Sequence, residues 1–216
     1  MTEGRITTAD LLSRTATLIA RHPTRNAIVF IALAGAGFAI DSGFLSHNIS
    51  DALNLVLACT FAGAQHYVVR TALEDSGLQR GARPRFAAYL GLSLLANAAI
   101  LLGLLLVLPG ILLLVRWWAA VPVLLDSEAT ISGALSESWS RTRPHLWAIL
   151  GLAAAIWLPA VAGVAATIAL TVTGAGLLSA ILIINLLLCG ALLASWNSSV
   201  AVYRSLSPTQ PSFTTA

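Results

Sequence analysis

The sequence predicts an all-α, polytopic membrane protein with about six transmembrane helices, and three observations predict it. Hydrophobic residues make up 57% of the 216 and charged residues only 10%, with a mean hydropathy of +0.84. A water-soluble domain needs far more polar surface than that. The apolar residues fall into six runs, at about 26–46, 50–70, 86–108, 110–126, 146–172 and 175–203, most of them near the roughly 20 residues that cross a hydrocarbon core as helix. Finally, eleven of the twelve arginines sit before the first run, after the last, or in every second connection between them.

Residues 1–25 form a polar lead on the cytoplasmic side. Within it, residues 7–21 place Leu11, Leu12, Leu18 and Ile19 on one helical face, with Thr7 and Asp10 spaced as a capping box. This predicts a helix lying in the membrane interface. No cleavable signal peptide is read, because the first apolar run starts only near Asn26. The stretch 86–125 would be about 60 Å long as helix, twice a hydrocarbon core of about 30 Å, so it must turn once. Pro109-Gly110 is its strongest turn signal. Such a turn belongs at an interface or under protein, since lipid cannot satisfy bare backbone.

Residues 127–143 predict a second interfacial helix, with Ser127 as N-cap and Ile131, Ala134 and Leu135 on one face. Trp139 and Trp147 flank the entry to the fifth run, where an aromatic belt is expected. That run carries Gly151, Ala155, Pro159 and Gly163 at every fourth residue, a small-residue packing face with a kink expected at Pro159. The transmembrane domain spans 26–204, and the polar tail 205–216, with its two prolines, reads as disordered.

Arginine placement orients the whole. Arg5, Arg14, Arg21 and Arg25 precede the first run. Arg70, Arg80, Arg83 and Arg85 follow the second, Arg141 and Arg143 follow the fourth, and Arg204 closes the sixth. The opposite connections hold none, so both termini are expected in the cytoplasm. Pro23, Pro84 and Pro144 each follow a basic residue and each opens an odd-numbered run, at spacings of 61 and 60 residues. Three helical hairpins of one orientation would follow. The chain has no lysine, a bias that suggests a GC-rich bacterial genome.

Arg116 is the exception. If the fourth span starts at Pro109, Arg116 lies about 10 Å below the outer end and about 14 Å from Leu125 at 1.5 Å per residue. A central arginine costs about 2.5–3.5 kcal/mol on insertion scales, so a partner is expected. By the same rise Asn54 and Asn185 lie about 6 and 15 Å below the outer ends of their spans, within an arginine's reach in depth. The expected cluster is Arg116, Asn54 and Asn185. Two readings stand: an arginine satisfied by amides and helix-end carbonyls, which is favoured, or an anion or lipid-headgroup site.

Other polar residues fall in stripes. Tyr89, Ser93 and Asn97 share a face of the third span. Asn185, Cys189, Leu192, Trp196, Ser199 and Tyr203 share one of the sixth. Both stripes read as helix packing. His66, near the cytoplasmic surface, reads as a packed histidine. Cys59 and Cys189 lie in apolar runs without a CxxC or a ligand cluster, which predicts reduced thiols and no metal site. No HExxH, GxSxG or P-loop motif occurs. The basic residues flank apolar segments and carry no nucleic-acid-reading motif.

The run 106–152 resembles the bacterial glycerophosphoryl diester phosphodiesterase membrane-domain family. The resemblance rests on Pro109, Gly110, Arg116, Pro122, Glu128, Ser138 and Trp139, with Arg21-His22-Pro23 similar to the family's start. It implies the membrane part alone, since the soluble barrel that gives the family its name has no room in this chain. Glu137 beside Ser138 departs from the basic residues common there. The expected function is therefore that of a non-enzymatic, cofactor-free protein of the bacterial inner membrane. It would be a scaffold or accessory subunit in envelope or lipid handling, with lipids, other membrane proteins or further copies of itself as partners. The alternative is a small-molecule or lipid transporter or exporter with Arg116 in its path.

Overall fold

Helices follow the apolar runs closely. The computed structural model describes residues 6–42, 47–77, 86–127, 129–172 and 176–207, with backbone alone at 47–52. In order, the helices are α1 (Thr8–Arg21), α2 (Pro23–Asp41), α3 (His47–Glu74), α4 (Phe86–Leu104) and α5 (Leu108–Arg116). They continue with α6 (Ala120–Asp126), α7 (Ile131–Thr142), a 3-10 turn at Arg143–His145, α8 (Leu146–Val172) and α9 (Leu177–Leu206). No strand occurs among the described residues. Arg5, Arg80, Arg83, Pro84, Arg85, Glu128 and the tail beyond Ser207 lie outside the described residues. The part of the tail that is described is helical as far as Leu206.

Five stretches are long and apolar enough to cross a membrane: Pro23–Asp41, Phe86–Leu104, Leu108–Asp126, Ile131–Val172 and Leu177–Leu206. α3 is 28 residues long and more polar than these. Large apolar side chains such as Ile31, Leu94 and Leu102 point outward, as lipid contact allows. The first and last helices meet: Arg14 and Arg21 of α1 line one pocket with Arg204 in the last turn of α9. Arg25 at the start of α2 donates to Thr71 (2.7 Å) and Asp75 (3.4 Å) at the end of α3, and His22 Nε2 lies 2.6 Å from the same carboxylate. Asn26, buried, donates to the Ile19 carbonyl at 3.0 Å. That satisfies one of the carbonyls a helix end leaves open.

α1 begins as its sequence dictates. The Thr7 hydroxyl accepts from the Asp10 amide (3.2 Å), and the Asp10 carboxylate accepts from the Thr7 amide (3.0 Å). Its apolar stripe, however, meets protein. Leu11 and Leu18 are almost fully buried, and α1 packs across α8 and α9. The Thr8 hydroxyl donates to the Ala148 carbonyl at 3.2 Å. A Cβ added at Gly151 would come within 2.5 Å of that hydroxyl oxygen, so the glycine allows the close crossing. Only Leu12 of the predicted stripe is largely exposed. α7 likewise buries Ala134, Ser138 and Thr142. Its N-cap is Thr130, whose hydroxyl accepts from the Gly133 amide, and not Ser127, which turns back to the Val123 carbonyl.

The reversal between α4 and α5 comes earlier than predicted, at Leu105–Val107. Leu108 N–H donates to the Leu106 carbonyl (2.7 Å) around Val107 at φ 56°, ψ −68°. This is a γ-turn of the strained hand. Leu106 and Val107 N–H groups bond Gly103 and Leu104 carbonyls at 3.0 Å. The turn thus satisfies these donors internally even though its side chains are exposed. Pro109 sits in the first turn of α5, where a missing N–H costs nothing. Gly110 lets α5 press on α4, since a Cβ there would lie 2.4 Å from the Leu104 nitrogen. Pro109 and Gly110 therefore start α5 and seat it against α4; they do not form the turn.

Two expectations follow for thermal unfolding of the detergent-solubilised protein. Gly110→Ala should destabilise it by about 1–3 kcal/mol, whereas Val107→Gly should stabilise it by about 1 kcal/mol by removing the positive-φ strain. A lower melting temperature for Val107→Gly would contradict the turn geometry. Separately, the Thr7 hydroxyl and amide hold the Asp10 carboxyl below its ordinary value. A depressed carboxyl pKa stabilises above the unfolded value and loses that contribution as pH falls through the folded one. The protection of α1 amides against hydrogen exchange, relative to their intrinsic rates at each pH, should therefore fall in acid below the ordinary carboxylate range, and Thr7→Ala should flatten that pH dependence.

Candidate functional site

The segment from α5 to α7 is built around an interruption. Pro122 has no N–H for the Trp118 carbonyl, and its ring crowds that position. The helix accordingly breaks over Trp117–Ala119. There Trp118 and Ala120 N–H groups bond back three residues, to Val115 (3.4 Å) and Trp117 (3.0 Å). In an unbroken helix Ala120 would donate to the Arg116 carbonyl. Here that carbonyl accepts instead from the Ser138 hydroxyl (2.8 Å), with the Thr142 hydroxyl also in reach (3.1 Å), its one proton shared with the Ser138 carbonyl of its own helix (2.8 Å). Both hydroxyls are on fully buried residues. An open carbonyl in this position would cost about 1–3 kcal/mol.

The Arg116 side chain follows its backbone towards α7. Its guanidinium carbon lies 5.3 Å from the Trp139 ring centroid, a cation–π contact worth about 0.5–2 kcal/mol depending on desolvation. Nε and Nη1 are buried without hydrogen-bond partners. The two amides expected beside it lie elsewhere. Asn54 is exposed. Asn185 donates to Asp41 Oδ2 (3.0 Å) and to the Ile181 carbonyl (3.1 Å). Asn185 fits against α2 because residue 37 is glycine, where a Cβ would stand 2.1 Å from Asn185 Oδ1. Thus Arg116, Asn54 and Asn185 do not form a cluster. Of the motif residues, Pro122, Arg116, Ser138 and Trp139 work as one unit, Pro109 and Gly110 belong to the hairpin, and Glu128 lies outside the described residues.

The same region is tied to the end of α9. The Tyr203 hydroxyl donates to Asp126 Oδ2 at 2.5 Å, with both residues buried. Arg141 lies over the Tyr203 ring at 5.3 Å, donates to Ser207 Oγ at 3.2 Å, and pairs with Glu137 on its own helix. Trp118 Nε1 donates to Ser198 Oγ at 3.1 Å. Apart from the i, i+4 pair of Glu137 and Arg141, none of these pairings follows from spacing along the chain.

The break also shapes a cleft of about 470 Å³ between α3, α4, the α5–α6 segment, α8 and α9. Trp117, Trp118, Trp157 and Trp196 line it. Its polar groups include Gln65 and Tyr89, which are joined by a 2.9 Å hydrogen bond from the tyrosine hydroxyl. Ser195 also lines it, with a buried hydroxyl that has no hydrogen-bond partner. Ala58, Leu94 and Asn97 line it too and are exposed, so the cleft opens on the outward-facing surface. Tyr89, Ser93 and Asn97 from one predicted stripe and Leu192, Trp196 and Ser199 from another meet here. The stripes thus pack, as their spacing suggests, and part of each also walls a cleft; Asn185, Cys189 and Tyr203 are buried away from it. Arg116 is not among the lining residues. His66 packs edge-on against Phe86 and Tyr89.

Among the described residues no three His, Cys, Asp or Glu side chains gather as a metal site requires. Cys59 is exposed and Cys189 buried, both as free thiols. No family model matches the chain, and no curated protein or solved structure matches it either.

Removing both hydroxyls that hold the Arg116 carbonyl, as Ser138→Ala with Thr142→Val, should lower stability by about 1–3 kcal/mol. Either change alone should cost less, because one donor remains. Arg116→Leu keeps the carbonyl and should remain folded. If the double variant melted like the parent while Arg116→Leu unfolded, the side chain and not the carbonyl would be the structural element.

Proposed function

We propose that this chain is a non-enzymatic lipid-handling protein of the bacterial inner membrane, an accessory or scaffold subunit that shelters part of a lipid molecule in its tryptophan-lined cleft. The observation that carries the reading is the cleft itself. Its volume falls in the range of small-ligand sites, about 300–1,000 Å³. Its mouth opens where lipid would lie, and its walls combine apolar and aromatic surface with a few hydrogen-bonding groups. A single hydrocarbon chain ending in a polar group has that chemistry. The polar end would meet Gln65, Asn97 or the unpartnered Ser195 hydroxyl.

The topology we infer is six crossings as three hairpins: α2 with α3, α4 with α5–α6, and α8 with α9. Both ends of the described chain lie at the arginine-rich end, which an even number of crossings requires. The positive-inside rule would put that end in the cytoplasm. The resemblance of 106–152 to a lipid-related membrane-domain family agrees with this role. Since Arg116 is turned towards α7, a transport path through it is not part of the reading. Other membrane proteins or a second copy would use the outward apolar faces.

Native mass spectrometry of the detergent-extracted protein tests the proposal. The parent should retain lipid, and Ser195→Trp, which fills the cleft, should not. Asn97→Leu at the exposed mouth should weaken retention without disturbing the fold, and covers the case in which Ser195→Trp misfolds. Equal retention in parent and folded variants would sink the cleft as a lipid site.

A further inference from the structure

A second pocket, of about 250 Å³, lies at the arginine-rich end between α1 and α9. Arg14 and Arg21 stand seven residues apart on one face of α1 and line it together with Thr17. Arg204 enters from the last turn of α9. Leu18 and Ala201, both buried, close its floor. No acidic residue lines it.

Three converging guanidinium groups repel one another. Arg204 feels the like charge of both Arg21 and Arg14. Neighbouring arginines at this end are neutralised: Arg25 by Asp75, Arg70 by Glu74 and Arg141 by Glu137. Among the described residues no carboxylate lies within ion-pair distance of Arg14, Arg21 or Arg204. The nearby Asp10 is engaged with Thr7. Packing α1 across α8 and α9 therefore creates a concentrated positive charge with no ion-pair partner among the described residues.

We propose that this pocket binds a phosphate group. Guanidinium forks match phosphate oxygens in charge and in geometry. Basic pockets at the ends of membrane helices are where acidic headgroups are held. The Thr17 hydroxyl adds one neutral donor. The pocket is at the end of α9, at the level where a headgroup would sit, and is walled in part by α1, so a bound phosphate would also hold α1 against the bundle. The same chemistry would accept a lipid phosphate or a free phosphate compound. The site is separate from the tryptophan-lined cleft and does not depend on that cleft's having an occupant.

The test uses the full-length protein in uncharged detergent with added dioleoyl phosphatidic acid, dioleoyl phosphatidylcholine or inorganic phosphate. Binding is read by native mass spectrometry and by titration calorimetry. The parent should prefer phosphatidic acid to phosphatidylcholine, and Arg14→Gln with Arg204→Gln should weaken it at least about tenfold. Arg143→Gln, an exposed arginine outside the pocket, should leave binding unchanged. Arg21→Gln, also exposed, repeats the test with the least risk to folding. Displacement by inorganic phosphate at similar concentration assigns the site to free phosphate compounds, and resistance to displacement assigns it to a headgroup; either supports the proposal. Binding of neither phosphatidic acid nor phosphate overturns it. So does unchanged binding in the folded pocket variants, or an equal loss in Arg143→Gln.

Discussion

A backbone carbonyl without an amide partner is the constraint around which this molecule is arranged. Pro122 breaks the helix begun at Leu108, and the break opens the carbonyl of Arg116 in a place where water is scarce. Ser138 and Thr142 answer it from α7. To do so α7 must lie against the broken segment, and its other residues then take their positions. Arg141 reaches Tyr203, Tyr203 reaches Asp126, and the ends of α6, α7 and α9 become one unit. The same break turns Trp117 and Trp118 into the cleft.

The exterior and interior follow different rules. Outward leucines and isoleucines need no partner, because lipid is as apolar as they are. Inside, specificity comes from a few polar contacts and from close approaches. Gly37 admits Asn185, Gly110 admits α4, and Gly151 admits the Thr8 hydroxyl of α1. Each works by the absence of a Cβ at one crossing. The small-residue stripe of α8 accordingly serves two neighbours, with Gly151 facing α1 and Gly163 facing Leu187 of α9.

Charge is organised by end. The arginines also act locally. Some pair with carboxylates and tie helix ends together, and three surround a pocket without an ion-pair partner among the described residues. An apolar cleft and a cationic pocket in one small bundle are the two surfaces that a lipid with an acidic headgroup would need, though they are separate sites.

Periodicity and length placed most helices to within a few residues, but the run 110–126 reads as one span, and the break at Trp117–Ala119 that divides it into α5 and α6 was not legible in it. The capping box at Thr7 and Asp10 was legible because its partners are three residues apart. What no spacing could supply was which neighbour each face would meet. Arg116 and Asn185 were expected within reach of one another, yet one faces Trp139 and the other Asp41. The α1 stripe could have lain in lipid, but α8 and α9 took it. Parts of two polar stripes wall a cleft because five segments converge there without filling the space. Local hydrogen bonding and the hydrophobic thickness act along the chain and can be read from it. Lateral packing depends on contacts between residues far apart in sequence, and only the folded bundle decides it.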